Sequence, residues 1–182
     1  MRSAIVCLAS LGLACFALAQ PKGAPTTVVG DLKQSYDQIK GLLTRAAADM
    51  PESGYGFQPT PEEMTFGKWV AHVADAQGAI CGAASGAAKQ LGAGSKTTKP
   101  DLQAVLKESF AVCDTAYEGT TEANMNDSVS MFGRPAPRLA ALYGNIAHDN
   151  ECYGSMAVYL RLNKLVPPSS QGRGGQGKGK GK

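Results

Sequence analysis

Seven apolar residues, Val29, Leu32, Tyr36, Ile39, Leu43, Ala46 and Met50, recur at alternating steps of three and four without a break. That spacing returns a side chain to one face of an α-helix at every turn and fits no strand, whose period is two. The same pattern recurs downstream. Phe66, Trp69, Val73, Ala76, Ile80, Ala83 and Ala87 predict a second helix over about residues 66–90, with Thr65 as its N-cap. Its second half is all small residues, which predicts close approach by a neighbouring helix and fraying towards Gln90. Leu102, Val105, Leu106, Phe110, Cys113, Ala116 and Tyr117 make one face of a third helix starting at or just before Asp101. Leu139, Leu142, Ile146, Tyr153, Met156 and Leu160 make a fourth over residues 138–164, its stripe interrupted only by Asp149. Gly and Pro rule out regular structure over residues 51–64, and residues 91–100 and 119–137 read as connections. Four amphipathic helices and no convincing strand predict an all-α fold, a four-helix bundle.

The two ends fall outside that fold. Arg2, the apolar run from Ala4 to Leu18 and the small-x-small signal Ala17-Leu18-Ala19 make residues 1–19 a secretory signal peptide, with cleavage before Gln20. The apolar run is too short to span a bilayer, so no stable membrane insertion is expected. Residues 20–27 read as a leader, 28–168 as the bundle, and 169–182 as a disordered tail of Ser, Gly, Gln and Lys. Export, to a periplasm or to the medium, places the chain where disulfides persist. Cleavage leaves three cysteines, Cys81, Cys113 and Cys152. Cys81 and Cys113 sit on or near the packed faces of the second and third helices, and a bridge between them would add roughly 3–4 kcal/mol in the chain-entropy model. That pairing leaves Cys152 free; a pairing that uses Cys152 is the alternative. The net charge of +3 falls to +2 without Arg2, and Arg173, Lys178, Lys180 and Lys182 in the tail account for +4. The body is therefore slightly acidic, which argues against nucleic acid as a partner.

The chemistry-bearing residues are few. His148 and Cys152 are four apart on the fourth helix, so their side chains share a face. His72 on the second helix can supply a third ligand. Three protein donors and an open position characterise a catalytic rather than a structural metal site, and imidazole with thiolate favours zinc, copper or nickel over magnesium or calcium. A shared ion needs the donor atoms within about 3–4 Å of one another. Asp75 and Glu151, each three residues from a histidine, are candidates to orient an imidazole or move a proton. They do not make a carboxylate-bridged di-iron site: the first helix has no Glu, and the Glu-x-x-His order is reversed. The bland alternative is a non-catalytic binding or assembly module in which the histidines and Cys152 are packing residues.

Several stretches together resemble the DinB-like superfamily. They are Trp69 to Gln77 around His72, the run His148-Asp149-Asn150-Glu151-Cys152-Tyr153-Gly154, the later Tyr159-Leu160-Arg161 and Pro167-Pro168-Ser169, and the loop Phe57 to Met64. The resemblance implies a bundle in up-down-down-up order, often a homodimer, holding zinc or nickel on three histidines. One histidine lies on the second helix and a His-x-x-x-His pair on the fourth. His72 and His148 match the first two positions, and Cys152 departs from the third. Some relatives are metal-dependent thiol transferases that act with bacillithiol or mycothiol, and many have no known activity. The resemblance thus implies thiol-transferase-type chemistry, and a metal that lowers the pKa of a bound water makes a hydrolase the other expectation, in either case on a small-molecule substrate.

Overall fold

The structure is a computed structural model and describes residues 27–172. The predicted signal peptide, nearly all of the leader and the basic end of the tail lie outside the described residues. Four helices carry the fold: α1 (Val28–Asp49), α2 (Phe66–Ala84), α3 (Lys99–Glu118) and α4 (Arg138–Leu162). Three begin on a threonine whose hydroxyl accepts a backbone N–H from the first turn: Thr27 for α1, Thr65 for α2 and Thr98 for α3. α3 starts before Asp101 because Pro100 sits in its first turn, where a missing N–H costs nothing.

Each helix packs on two others: α1 on α3 and α4, α2 on α3 and α4. Cross-helix contacts give the directions. Lys33, Tyr36 and Gln103 join α1 to α3 in antiparallel register, Glu118 meeting Lys33 and Ala47 meeting Gln103. Gln77 meets Ser109, and Cys81 meets Cys113, so α2 and α3 run parallel. Met64 meets Tyr159, His72 meets His148 and Ala84 meets Arg138, so α4 runs against α2. The order is up-down-down-up. Parallel neighbours α2 and α3 need a long return, which residues 85–98 provide.

The apolar stripe of α1 is buried along its length. In α2 the buried face is broader than the spacing suggests and centres on Val70, Ala74, Gln77 and Cys81. Ala76 is only half-buried and Ala87 lies outside the helix, because α2 is covered from two sides. Tyr36 stacks on Tyr117 with ring centroids 3.9 Å apart, and their hydroxyls donate to Asp114 Oδ1 and the Leu142 carbonyl. Cys81 and Cys113 are joined, tying α2 to α3.

Three elements differ from the sequence expectation. α2 ends at Ala84, not near Gln90. The chain turns back there, with Ala87 N donating to Gly82 O and Lys89 N to Gly78 O. Gly78 and Gly82 thus receive the chain's own return, while α3 makes the expected close approach at Cys81, whose Cα lies 4.9 Å from that of Cys113. The connection at 119–137 contains an antiparallel hairpin, β1 (Ser128–Met131) and β2 (Arg134–Pro137). Phe132 and Gly133 both take positive φ at its tip, the geometry of a two-residue primed turn. Finally, Pro168–Ser170 forms a 3-10 turn past the expected boundary at residue 168. Ser169 N donates to Tyr153 Oη and Gln171 Nε2 to Asp49 Oδ2, so a stretch that composition reads as tail is docked on the bundle.

Candidate metal centre

α2 and α4 cross so that His72 meets His148, and the helical repeat sets Cys152 one turn further along. The two Nε2 atoms are 2.9 Å apart. Cys152 Sγ lies 3.6 Å from His148 Nε2, and all three donors fall within 4.8 Å of one another. The burial is graded: His72 is exposed, His148 half-buried and Cys152 buried. The edge of Trp69 packs against His72 with centroids 6.0 Å apart.

Ligand bonds of ~2.0 Å to nitrogen and ~2.3 Å to sulfur in a tetrahedron place donors about 3.3 Å (N to N) and about 3.5 Å (N to S) apart. The His148–Cys152 nitrogen–sulfur separation fits, but the three donors together span up to 4.8 Å, wider than the about 3–4 Å expected of atoms that share an ion. The nitrogen–nitrogen separation is a few tenths of an ångström short, as expected for imidazoles that hydrogen-bond to each other. Two imidazoles and a thiol with an exposed side are a donor set for a borderline or soft divalent ion. The residues present fit such an ion.

Behind the donors lies a polar cluster that spacing does not reveal. Gln77, Ser109, Asn145 and Asp149 are fully buried. Ser109 Oγ donates to Gln77 Oε1 at 2.6 Å, Gln77 Nε2 to Asp149 Oδ2 at 2.9 Å, and Asn145 Nδ2 to the same oxygen at 3.1 Å. Asp149 Oδ1 is buried without a hydrogen-bond partner, 3.7 Å from His148 Nδ1. That is an ion contact, too long for a formed hydrogen bond. The Asp149 carboxylate and then Cys152 hold the His148 imidazolium up to about 10, against 6.5 ordinarily. Burial pushes the Asp149 carboxyl up while His148 pulls it down. His72 is lowered, first by burial and then by the charge on His148. His148 is therefore the cation of the imidazole pair and His72 its neutral acceptor.

Asp75 and Glu151 are placed elsewhere. Asp75 accepts from Ala93 N at 2.9 Å and Gly94 N at 3.0 Å, anchoring the return loop, so it is committed away from the imidazoles. Its charge still acts weakly on His72, as does that of the exposed Glu151. A groove of about 670 Å³ between α1 and α4, lined by Leu32, Ile39, Leu139 and Tyr143, includes none of the three donors.

The sequence profile of the DinB superfamily matches residues 35–155, a span that contains all three donors. No curated protein matches. Among solved structures, a DinB-like protein from Bacillus cereus is similar with a TM-score of 0.66 and 20% identity, covering 79% of this chain and 97% of that one. The DinB-like protein YjoA from Bacillus subtilis is similar with a TM-score of 0.61 and 18% identity, covering 75% and 93%. At such identities the likeness speaks for the fold.

Proposed function

Because the chain belongs to the DinB superfamily, we propose that it is an exported, metal-binding member in which His72, His148 and Cys152 hold one divalent ion, zinc or nickel. The observation that carries this reading is convergence: three donor atoms from two helices within 4.8 Å of one another, inside the span that the DinB superfamily profile matches. An ion so held supplies a Lewis acid that brings a bound water or thiol towards neutral pKa. The chain's own part is to bind through Nε2 of both imidazoles and Sγ of Cys152, and to leave the His72 side open to a small-molecule substrate. Export is supported by the Cys81–Cys113 bridge, which belongs in an oxidising compartment. It favours hydrolysis over transfer from a cytoplasmic thiol cofactor. A mature N-terminus at Gln20 is the expected mass-spectrometric result.

One observation favours a second reading, a bundle without metal. The 2.9 Å contact already pairs the two Nε2 atoms with each other, with no ion between them. Metal content of the full chain, purified without chelator or immobilised metal, decides between the two. Close to one ion per chain, lost in His148→Ala, supports the metal reading. No ion after incubation with zinc, nickel and copper under reducing conditions overturns it.

A further inference from the structure

We propose that Asp149 is a positioning residue for His148: its Oδ1 accepts a hydrogen bond from Nδ1–H and so aims a bare Nε2 at the shared ligand position. The inference rests on the metal reading for its purpose, but its geometry stands alone. Asp149 occupies an apolar-stripe position of α4 and is wholly buried. A carboxylate there costs several kcal/mol unless it is paired. Its two oxygens are treated differently. Oδ2 receives two hydrogen bonds, from Gln77 and Asn145, which fix the carboxylate plane from α2 and α4. Oδ1 receives none and lies 3.7 Å from His148 Nδ1. A small rotation of the ring converts this contact into a hydrogen bond. Contacts of this kind tighten when the far nitrogen is engaged, and a carboxylate behind a ligating histidine is the usual way its tautomer is fixed.

The asymmetry makes Asp149→Asn a sharp test. Both Gln77 and Asn145 donate to Oδ2, so the asparagine carbonyl must stand in that place. Its NH2 then replaces Oδ1 and presents a donor to His148 Nδ1. The imidazole is best satisfied there by leaving Nδ1 bare and carrying its proton on Nε2, which removes the lone pair that a metal needs.

Two quantities are measured on the full chain: zinc affinity by competition with a chromophoric chelator, and the tautomer of His148 in zinc-free protein by long-range ¹H–¹⁵N correlation above about pH 10, where the wild-type ring is neutral. Asp149→Asn is expected to weaken zinc binding about 10- to 100-fold and to move the proton from Nδ1 to Nε2. Thr120→Val, which removes a buried hydroxyl that donates to the Ala116 carbonyl and shares no partner with Asp149, is expected to change affinity by less than about twofold. Zinc affinity in Asp149→Asn equal to wild type, or an equal loss in Thr120→Val, overturns the proposal. A wild-type chain that binds no zinc defeats the metal reading alone, and the tautomer then decides this one. Should Asp149→Asn fail to fold, a folded wild-type chain held above about pH 10, where His148 is neutral, decides: a proton on Nε2 alone overturns the inference and one on Nδ1 alone upholds it.

Discussion

Held up to about 10 by Asp149 and Cys152, His148 carries a proton at neutral pH in the metal-free chain. Its folded value lies above the ordinary 6.5, so the stabilisation it contributes is complete below about 6.5 and is lost as pH rises through about 10. Thermal melts of metal-free protein are expected to show stability falling between pH 7 and pH 10, with His148→Gln flattening that slope. A metal must displace the same proton, so zinc affinity is expected to climb over that range. Affinity independent of pH from 6 to 9 would mean that His148 is not a ligand. His148 and Cys152 were legible as a pair because a four-residue step on a helix fixes which side chains meet, whereas His72, on another helix, was legible only by residue type and by the family resemblance. Asp149 was visible only as a gap in an apolar stripe. A charge at a core position signals a buried network, but its partners Gln77 and Ser109 come from other helices and no spacing announces them.

At the scale of elements, the glycines of α2 make a specific claim. A Cβ on Gly78 would stand 2.7 Å from the Lys89 carbonyl and one on Gly82 equally close to that of Ala87. Both neighbours are backbone and cannot swing aside, so Gly78→Ala is expected to cost about 1–3 kcal/mol in urea unfolding, despite alanine's better helix propensity. An unchanged midpoint would show that the return loop does not pack there. The hairpin argues in the opposite direction. Phe132 is exposed at the tip with φ +50°, a conformation costly for a bulky side chain and natural for asparagine. Phe132→Asn is expected to stabilise the chain by about 0.5–1 kcal/mol, read as a rise in melting temperature of roughly 2–4 °C. The helices were legible because their stripes are long and regular. The hairpin was not: Arg134-Pro135-Ala136-Pro137 has no strand alternation, and its pairing is set by the turn and by the bundle beneath it. The end of α2 was misplaced because small residues look the same whether a helix or the chain's own return covers them.

The whole molecule depends on two ties between helices that run in parallel or cross: the Cys81–Cys113 bridge on α2 and α3, and the donor cluster on α2 and α4. Replacing both bridge cysteines by alanine is expected to lower stability by roughly 3–4 kcal/mol in the chain-entropy model. It should leave metal stoichiometry unchanged, since Gln77 and the helix packing still hold α2 against its neighbours. Loss of the ion along with the bridge would mean that the site depends on the disulfide. The most direct measurement of the centre itself is X-ray absorption at the zinc edge on the zinc-loaded full chain. One sulfur at about 2.3 Å and two imidazole nitrogens at about 2.0–2.1 Å are expected in the first shell, with the sulfur lost in Cys152→Ser. A shell of nitrogen and oxygen without sulfur in the wild-type chain would contradict the assignment of His72, His148 and Cys152 to one ion.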